Sequence, residues 1–176
     1  MAGPRYVEIP VAAMLGVIAQ VREGVERVGG SVVEGIQGRE VVFDITPPSG
    51  TATMRVYTSF ARGATTLRAC DSDAVRIVVG VDHKGRFKTL TKPRKMLRTA
   101  PTGLPQETRV TVFLGRFLEA VRDGYRVAQK GATPCPCCKG PMAVRKAKAT
   151  SSEFLGCINY PECRGTRPIH ENRLSN

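Results

Sequence analysis

Five cysteines fall within residues 135–163, three of them in positions 135 to 138. This cluster constrains the chain more than any other feature, because a segment so short has almost no apolar core of its own. Its folding must then come from cross-links or from a metal. No apolar run approaches the ~20 residues that span a bilayer, and the start MAGPRYVEIP lacks the charged-then-apolar pattern of a signal peptide. The expectation is a cytoplasmic protein with no membrane partner. Thiols stay reduced in that compartment, and clustered cysteines more often hold metal than form disulfides.

Spacing selects the ligands. Cys135 and Cys138 are separated by two residues, with Pro136 and Lys139-Gly140 supplying turn chemistry, so both thiolates of such a knuckle face one point. Cys157 and Cys163 form a second pair five residues apart, across Asn159-Tyr160-Pro161, where a chain reversal is plausible. Between the pairs lie 18 residues, enough for a short β-hairpin. Two knuckles joined by a hairpin describe a zinc ribbon. Cys137 is the spare thiol, because adjacent C-x-C sulfurs rarely reach one ion in a knuckle. Cys70, alone in TTLRAC, reads as a small buried hydrophobe. Structural Zn²⁺ suits four thiolates best, although mononuclear iron also fits; free or disulfide-bonded thiols are the plainer alternative.

The pattern CP-x-C-K-G-PM…R…F-LGC-x-NYP-x-C-x-G-TRP, residues 135–168, resembles the C4 zinc ribbons at the C-terminus of bacterial type IA DNA topoisomerases. That resemblance covers about a fifth of the chain. It implies a non-catalytic module for single-stranded DNA, of a kind also attached to unrelated DNA-processing domains. Two positions depart from it: Lys139, where glycine is common, and Cys137, where a thiol is unusual.

Charge points the same way. The chain carries 27 Lys and Arg against 15 Asp and Glu, for +12. Residues 1–130 hold 20 basic and 12 acidic side chains and residues 131–176 hold 7 and 3, so both parts are basic. A polyanionic partner follows, with an evenly solvated basic surface as the bland alternative. In the ribbon, four thiolates and one Zn²⁺ sum to −2, which leaves binding to the placement of individual groups. The candidates are Arg145, Lys146 and Lys148 on the hairpin, Arg164 and Arg167 after the last ligand, and the aromatics Phe154 and Tyr160. Single strands are held by basic grooves with bases stacked on such rings, unless the rings merely pack on the hairpin.

Residues 1–130 predict an α+β domain. Val11, Leu15, Ile18, Val21, Val25 and Val28 recur at helical steps after Pro10, and Gly29-Gly30 ends the run. Strand-like runs follow: REVVFDI, TATMRVYTSF, TTLRAC, AVRIVVGV and RFKTLTK, cut by PPSG, DSD and DHKG turns. They suggest an antiparallel meander of four to five strands. A second helix of about 20 residues carries Val110, Leu114, Phe117, Leu118, Val121, Tyr125 and Ala128. The expected order is helix, meander, helix, then a 131–134 linker and a 135–170 ribbon.

The stretch 83–98 holds seven basic residues and no acid: Lys84, Arg86, Lys88, Lys92, Arg94, Lys95 and Arg98. Edge strands use lysine against aggregation, which accounts for two or three of them. The full set, spread along on the order of 40 Å of extended chain, could follow a phosphate backbone. Two acidic constellations offer an enzyme instead. Glu8 with Asp71-Ser72-Asp73 resembles a toprim magnesium site, but β-branched AVRIVVGV follows where that site needs a helix. Asp44 could open a restriction-endonuclease-like site, but Thr53-Met54-Arg55 supplies no second acid. The reading is a non-enzymatic DNA-binding protein favouring single strands, with RNA possible. A Mg²⁺-dependent nuclease or other phosphoryl-transfer enzyme, a strand-annealing protein and a protein-binding adaptor are the alternatives.

Overall fold

The computed structural model describes residues 6–48, 52–69, 75–90, 94–95 and 103–169. A short strand, β1 (Val7–Pro10), leads straight into helix α1 (Val11–Arg27). Then follow β2 (Ser31–Gln37), β3 (Glu40–Thr46), β4 (Thr53–Ala61), β5 (Thr66–Ala69), β6 (Val75–His83), β7 (Arg86–Thr89) and β8 (Arg94–Lys95). Helix α2 (Gln106–Lys130) precedes three ribbon strands, β9 (Met142–Lys146), β10 (Glu153–Cys157) and β11 (Thr166–Pro168). Among the described residues no helix is long and apolar enough to cross a membrane.

The class is α+β, but the order differs from the expectation in three places. The main antiparallel sheet runs β2-β3-β4-β6-β7, with β8 on the same edge of β6 as β7. Its edge strand β2 was not expected, because SVVEGIQ carries a Glu and a Gly amid its apolar residues. TTLRAC does not join the meander: β5 leaves the sheet to pair with β1, itself unforeseen because four residues carry too little pattern. Cys70 and the Asp71-Ser72-Asp73 turn lie outside the described residues.

Alternation along each strand sends one row of side chains to the helices. Phe43 lies opposite Val56 and Val56 opposite Ile77, while Ile45, Met54 and Val79 form the next row. All six are buried, under both helices. The α1 stripe is offset from the expected one. Met14 is fully buried, whereas Leu15 is 40% and Val28 56% exposed. In α2, Phe113 and Gly124 join Phe117, Val121 and Ala128 on the inner face. A Cβ on Gly124 would come within 2.5 Å of Met54 Sδ and 3.0 Å of Ile77 Cγ2, so glycine brings the helix backbone onto the sheet.

Two-residue turns close two hairpins. Lys84 and Gly85, at φ 50° and 72°, join β6 to β7 in the conformation that matches strand twist. Beyond α2, Ala132 packs against the main core and Ala143 and Ile158 are buried within it. The ribbon thus lies directly on the sheet domain, beside β7.

Candidate metal centre and adjoining groove

The first knuckle is a tight turn: the Lys139 N–H donates to the Cys135 carbonyl at 3.0 Å and the Cys135 N–H to that of Gly140 at 2.8 Å. Lys139 sits at φ 60°, which explains why glycine is common there; a side chain costs on the order of 1 kcal/mol in this region. The second knuckle closes through the Cys163 N–H on the Asn159 carbonyl at 3.0 Å, across a cis Tyr160-Pro161 bond. Both knuckles bring their sulfurs to one point. The Sγ atoms of Cys135, Cys138, Cys157 and Cys163 all lie within 4.8 Å of one another. Cys135 and Cys163 are 3.6 Å apart and Cys138 and Cys157 3.4 Å. Four sulfurs about 2.3 Å from one tetrahedral ion would be separated by about 3.8 Å, so the donor set fits Zn²⁺. Cys137 is exposed and outside this cluster.

Backbone and amide donors surround the sulfurs. The Asn159 N–H donates to Cys157 Sγ at 3.4 Å and its side-chain Nδ2 to Cys138 Sγ at 3.5 Å. A Cβ on Gly165 would overlap Cys135 Sγ, so only glycine fits there. As thiols the four are not equivalent. The Cys138 backbone N–H, foremost, draws Cys135 down to about 6 despite burial, and the Cys137 N–H adds to it. The Gly140 N–H, then Cys157, lowers Cys138. Burial raises Cys157. Cys163 is pushed up to about 12: the Gly165 N–H favours its thiolate, but Cys138, burial and Cys135 together outweigh it.

An open groove of about 780 Å³ runs along the hairpin beside the knuckles. Six of the sequence-derived candidates line it: Arg145, Lys146, Lys148, Phe154, Tyr160 and Arg164. Gly156 shapes its floor. A Cβ there would approach Arg145 Cδ to 2.6 Å, so the arginine stem lies flat across the glycine. The guanidinium donates to the Cys157 carbonyl at 3.2 Å and stands 5.7 Å from the centre of the Tyr160 ring. Tyr160 is 59% exposed and Phe154 is half-buried. Arg167 is exposed, but its place opposite Leu155 puts it on the other face of the ribbon sheet. Gly156, Gly165 and Thr166 also line this groove; the ribbon pattern contains all three, but the sequence gives the glycines no role, because glycine signals close approach only when the neighbour is known.

The basic stretch is divided. Arg86 is exposed and Lys88 half-buried on β7. Lys84 Nζ lies 3.8 Å from Glu162 of the ribbon, an exposed pair. Arg94 and Lys95 form β8, while Lys92 and Arg98 lie outside the described residues. The two candidate acids among the described residues, Asp44 and Glu8, are engaged elsewhere. Both Asp44 oxygens accept from Arg55 at 2.6 Å, and this pair, together with the stacking of Arg55 4.1 Å over Phe87, is structural in form. Arg55 is held above its usual range chiefly by Asp44. Glu8 lies 3.3 Å from Arg68. Among the described residues the four cysteines are the only group arranged to hold a metal ion.

Comparison with known proteins agrees with this geometry. The family described as topoisomerase DNA binding C4 zinc finger matches residues 132–172. A DNA topoisomerase 1 from Archaeoglobus fulgidus is 47% identical over 52 residues, which is 30% of this chain and 8% of that enzyme's length. No solved structure matches the chain. The C-terminal segment is a topoisomerase-type C4 zinc ribbon, and it binds structural Zn²⁺.

Proposed function

We propose that the protein binds DNA in the cytoplasm, favours single strands and performs no chemistry on them. One observation carries this reading: a groove on a topoisomerase-type ribbon is lined by four cationic residues and two aromatic ones. Cations neutralise phosphates, and every base has a face to stack on a ring, so such a surface takes single strands without reading sequence. In this reading residues 1–130 form a basic α+β domain, 131–134 connect, and 135–170 form the ribbon. The exposed Arg86 on β7, beside β9, would extend the track from the groove. Zinc's part is structural: Cys135, Cys138, Cys157 and Cys163 would hold it and so set the groove walls.

Anisotropy titrations of the zinc-loaded chain on single- and double-stranded oligonucleotides, DNA and RNA, at several salt concentrations test the proposal. Single-stranded DNA should bind most tightly, with affinity falling steeply as salt rises. Tyr160→Ala should weaken it by roughly 5- to 150-fold, the equivalent of about 1–3 kcal/mol for one lost stacking platform. Equal affinity for both DNA forms, untouched by Tyr160→Ala, would remove the reading. Oligonucleotide shortened only with Mg²⁺ would replace it with a nuclease.

A further inference from the structure

We infer that the chain forms a two-fold dimer through the outer edge of β2, continuing the main sheet from one copy into the next. The inference is independent of the DNA-binding reading and rests on the contrast between the two edges of the sheet. One edge, at β7, carries Arg86 and Lys88, cationic protection of the kind that keeps strand edges from pairing. The other, β2, spans seven residues, SVVEGIQ, with Glu34 as its only charge and no proline. Among the described residues no strand pairs with its outer side. Two of the exposed large hydrophobics lie on this strand, Val33 at 61% on one face and Ile36 at 56% on the other.

Backbone phase supplies a self-consistent register. The Thr46 carbonyl lies against Gly30, next to Ser31, its partner in the β2–β3 ladder. Arg22 Nη1 donates to the Val32 carbonyl at 3.1 Å, which places that carbonyl on the outer side. Alternation then turns the backbone groups of Glu34 and Ile36 outward as well. An antiparallel second copy centred on Gly35 would set each Glu34 opposite the partner's Ile36. That pairing exchanges both hydrogen bonds at each of two positions and keeps the two glutamates from facing one another. Only Val32, already taken by Arg22, stays outside it.

Long-range charge favours this edge over the β7 edge. A chain of net charge +12 resists self-association where its cations lie. Strand order places β2 at the far end of the sheet from β7, and β7 is the strand beside the ribbon. Dimerisation at β2 therefore puts the two ribbons at opposite ends of a continuous sheet. Nine strand spacings separate β7 from its counterpart, on the order of 40 Å. A dimer so built presents two grooves to one polyanion, and two linked weak sites bind far more tightly than one.

Sedimentation equilibrium of the zinc-loaded chain, without nucleic acid and over a range of concentrations, decides the matter. The expected mass is about twice 19.1 kDa, returning to 19.1 kDa for Ile36→Glu, which sets like charges opposite one another at both Glu34–Ile36 positions. Ile36 is exposed, so the glutamate leaves the fold intact. A second variant reads the register directly. Gly35→Cys places a thiol on the two-fold axis, where opposed Cα atoms about 4.5 Å apart lie within disulfide range. A Cβ there meets Val42 at an ordinary 3.5 Å. Mild oxidation should give a 35–35 linked peptide by mass spectrometry. A 19.1 kDa species at all concentrations overturns the inference, as does a dimer that survives Ile36→Glu and yields no 35–35 link.

Discussion

At the scale of single residues the ribbon turns on small side chains that admit large neighbours. Gly165 leaves room for Cys135 Sγ and Gly156 for the Arg145 stem, so both glycines act through the atoms they let approach. Gly165→Ala should displace Cys135 and weaken zinc binding by roughly 10- to 100-fold, the usual range for groups that position a ligand. Competition with a chromophoric chelator measures it, and an unchanged constant would show the knuckle can yield. The same titration at several pH values has a defined sign. Cys163, pushed up to about 12, and Cys157, also raised, keep their protons near neutrality, while Cys135 at about 6 does not. Zinc binding must release the retained protons, so the loaded form binds fewer. Apparent affinity should therefore rise with pH, about tenfold per unit for each proton released, and fall as acid returns them.

At the scale of elements, which residue of a stripe faces inward is what distinguishes expectation from structure. Helix α1 buries Val11, Met14, Ile18 and Val25, whereas the reading by periodicity put Leu15 on that face and passed over Met14. Both residues satisfy a helical step from Val11, and only the position of the sheet chooses between them. Met14→Ala should cost about 2–5 kcal/mol in urea unfolding, as for other buried truncations. Leu15→Ala should cost less, about 1 kcal/mol, since Leu15 is already 40% exposed. Equal losses would place the helix in the register expected from sequence. The β5 strand teaches a similar lesson, for the TLRA of TTLRAC reads as strand and is one, yet pairs with β1. Pairing partners are non-local, and a four-residue run carries no mark of which edge it meets.

For the whole molecule, the ribbon's contact with the sheet domain matters most. Ala143 and Ile158 are buried in the main core, and Lys84 reaches Glu162 from the β6–β7 turn. The ion pair is exposed and contributes little, so the coupling lies in the apolar contact. Structural zinc supplies on the order of 10–16 kcal/mol in small zinc modules. Stripping it with a chelator should therefore unfold the ribbon and uncover that part of the core. The melting temperature of the helix signal from α1 and α2 should drop by several degrees and recover when zinc is restored. A ribbon that melts with no effect on α1 and α2 would show the two units to be energetically separate.

The metal centre was legible in the linear chain because knuckle ligands are local: two spacings and their turn residues place four sulfurs, and tertiary structure adds little. The helix–sheet composition was legible too, since periodicity of 3.6 or 2 reports burial on one side. Tertiary structure alone decided the rest. It set the inner face of α1, the departure of β5, the exposed edge at β2 and the docking of Ala143 and Ile158, all contacts between distant segments. It also separated Arg145, which lies across Gly156 beside Tyr160, from Arg167 on the opposite face. Charge and spacing treat these arginines alike, because a strand's two faces become different only when something packs against one of them.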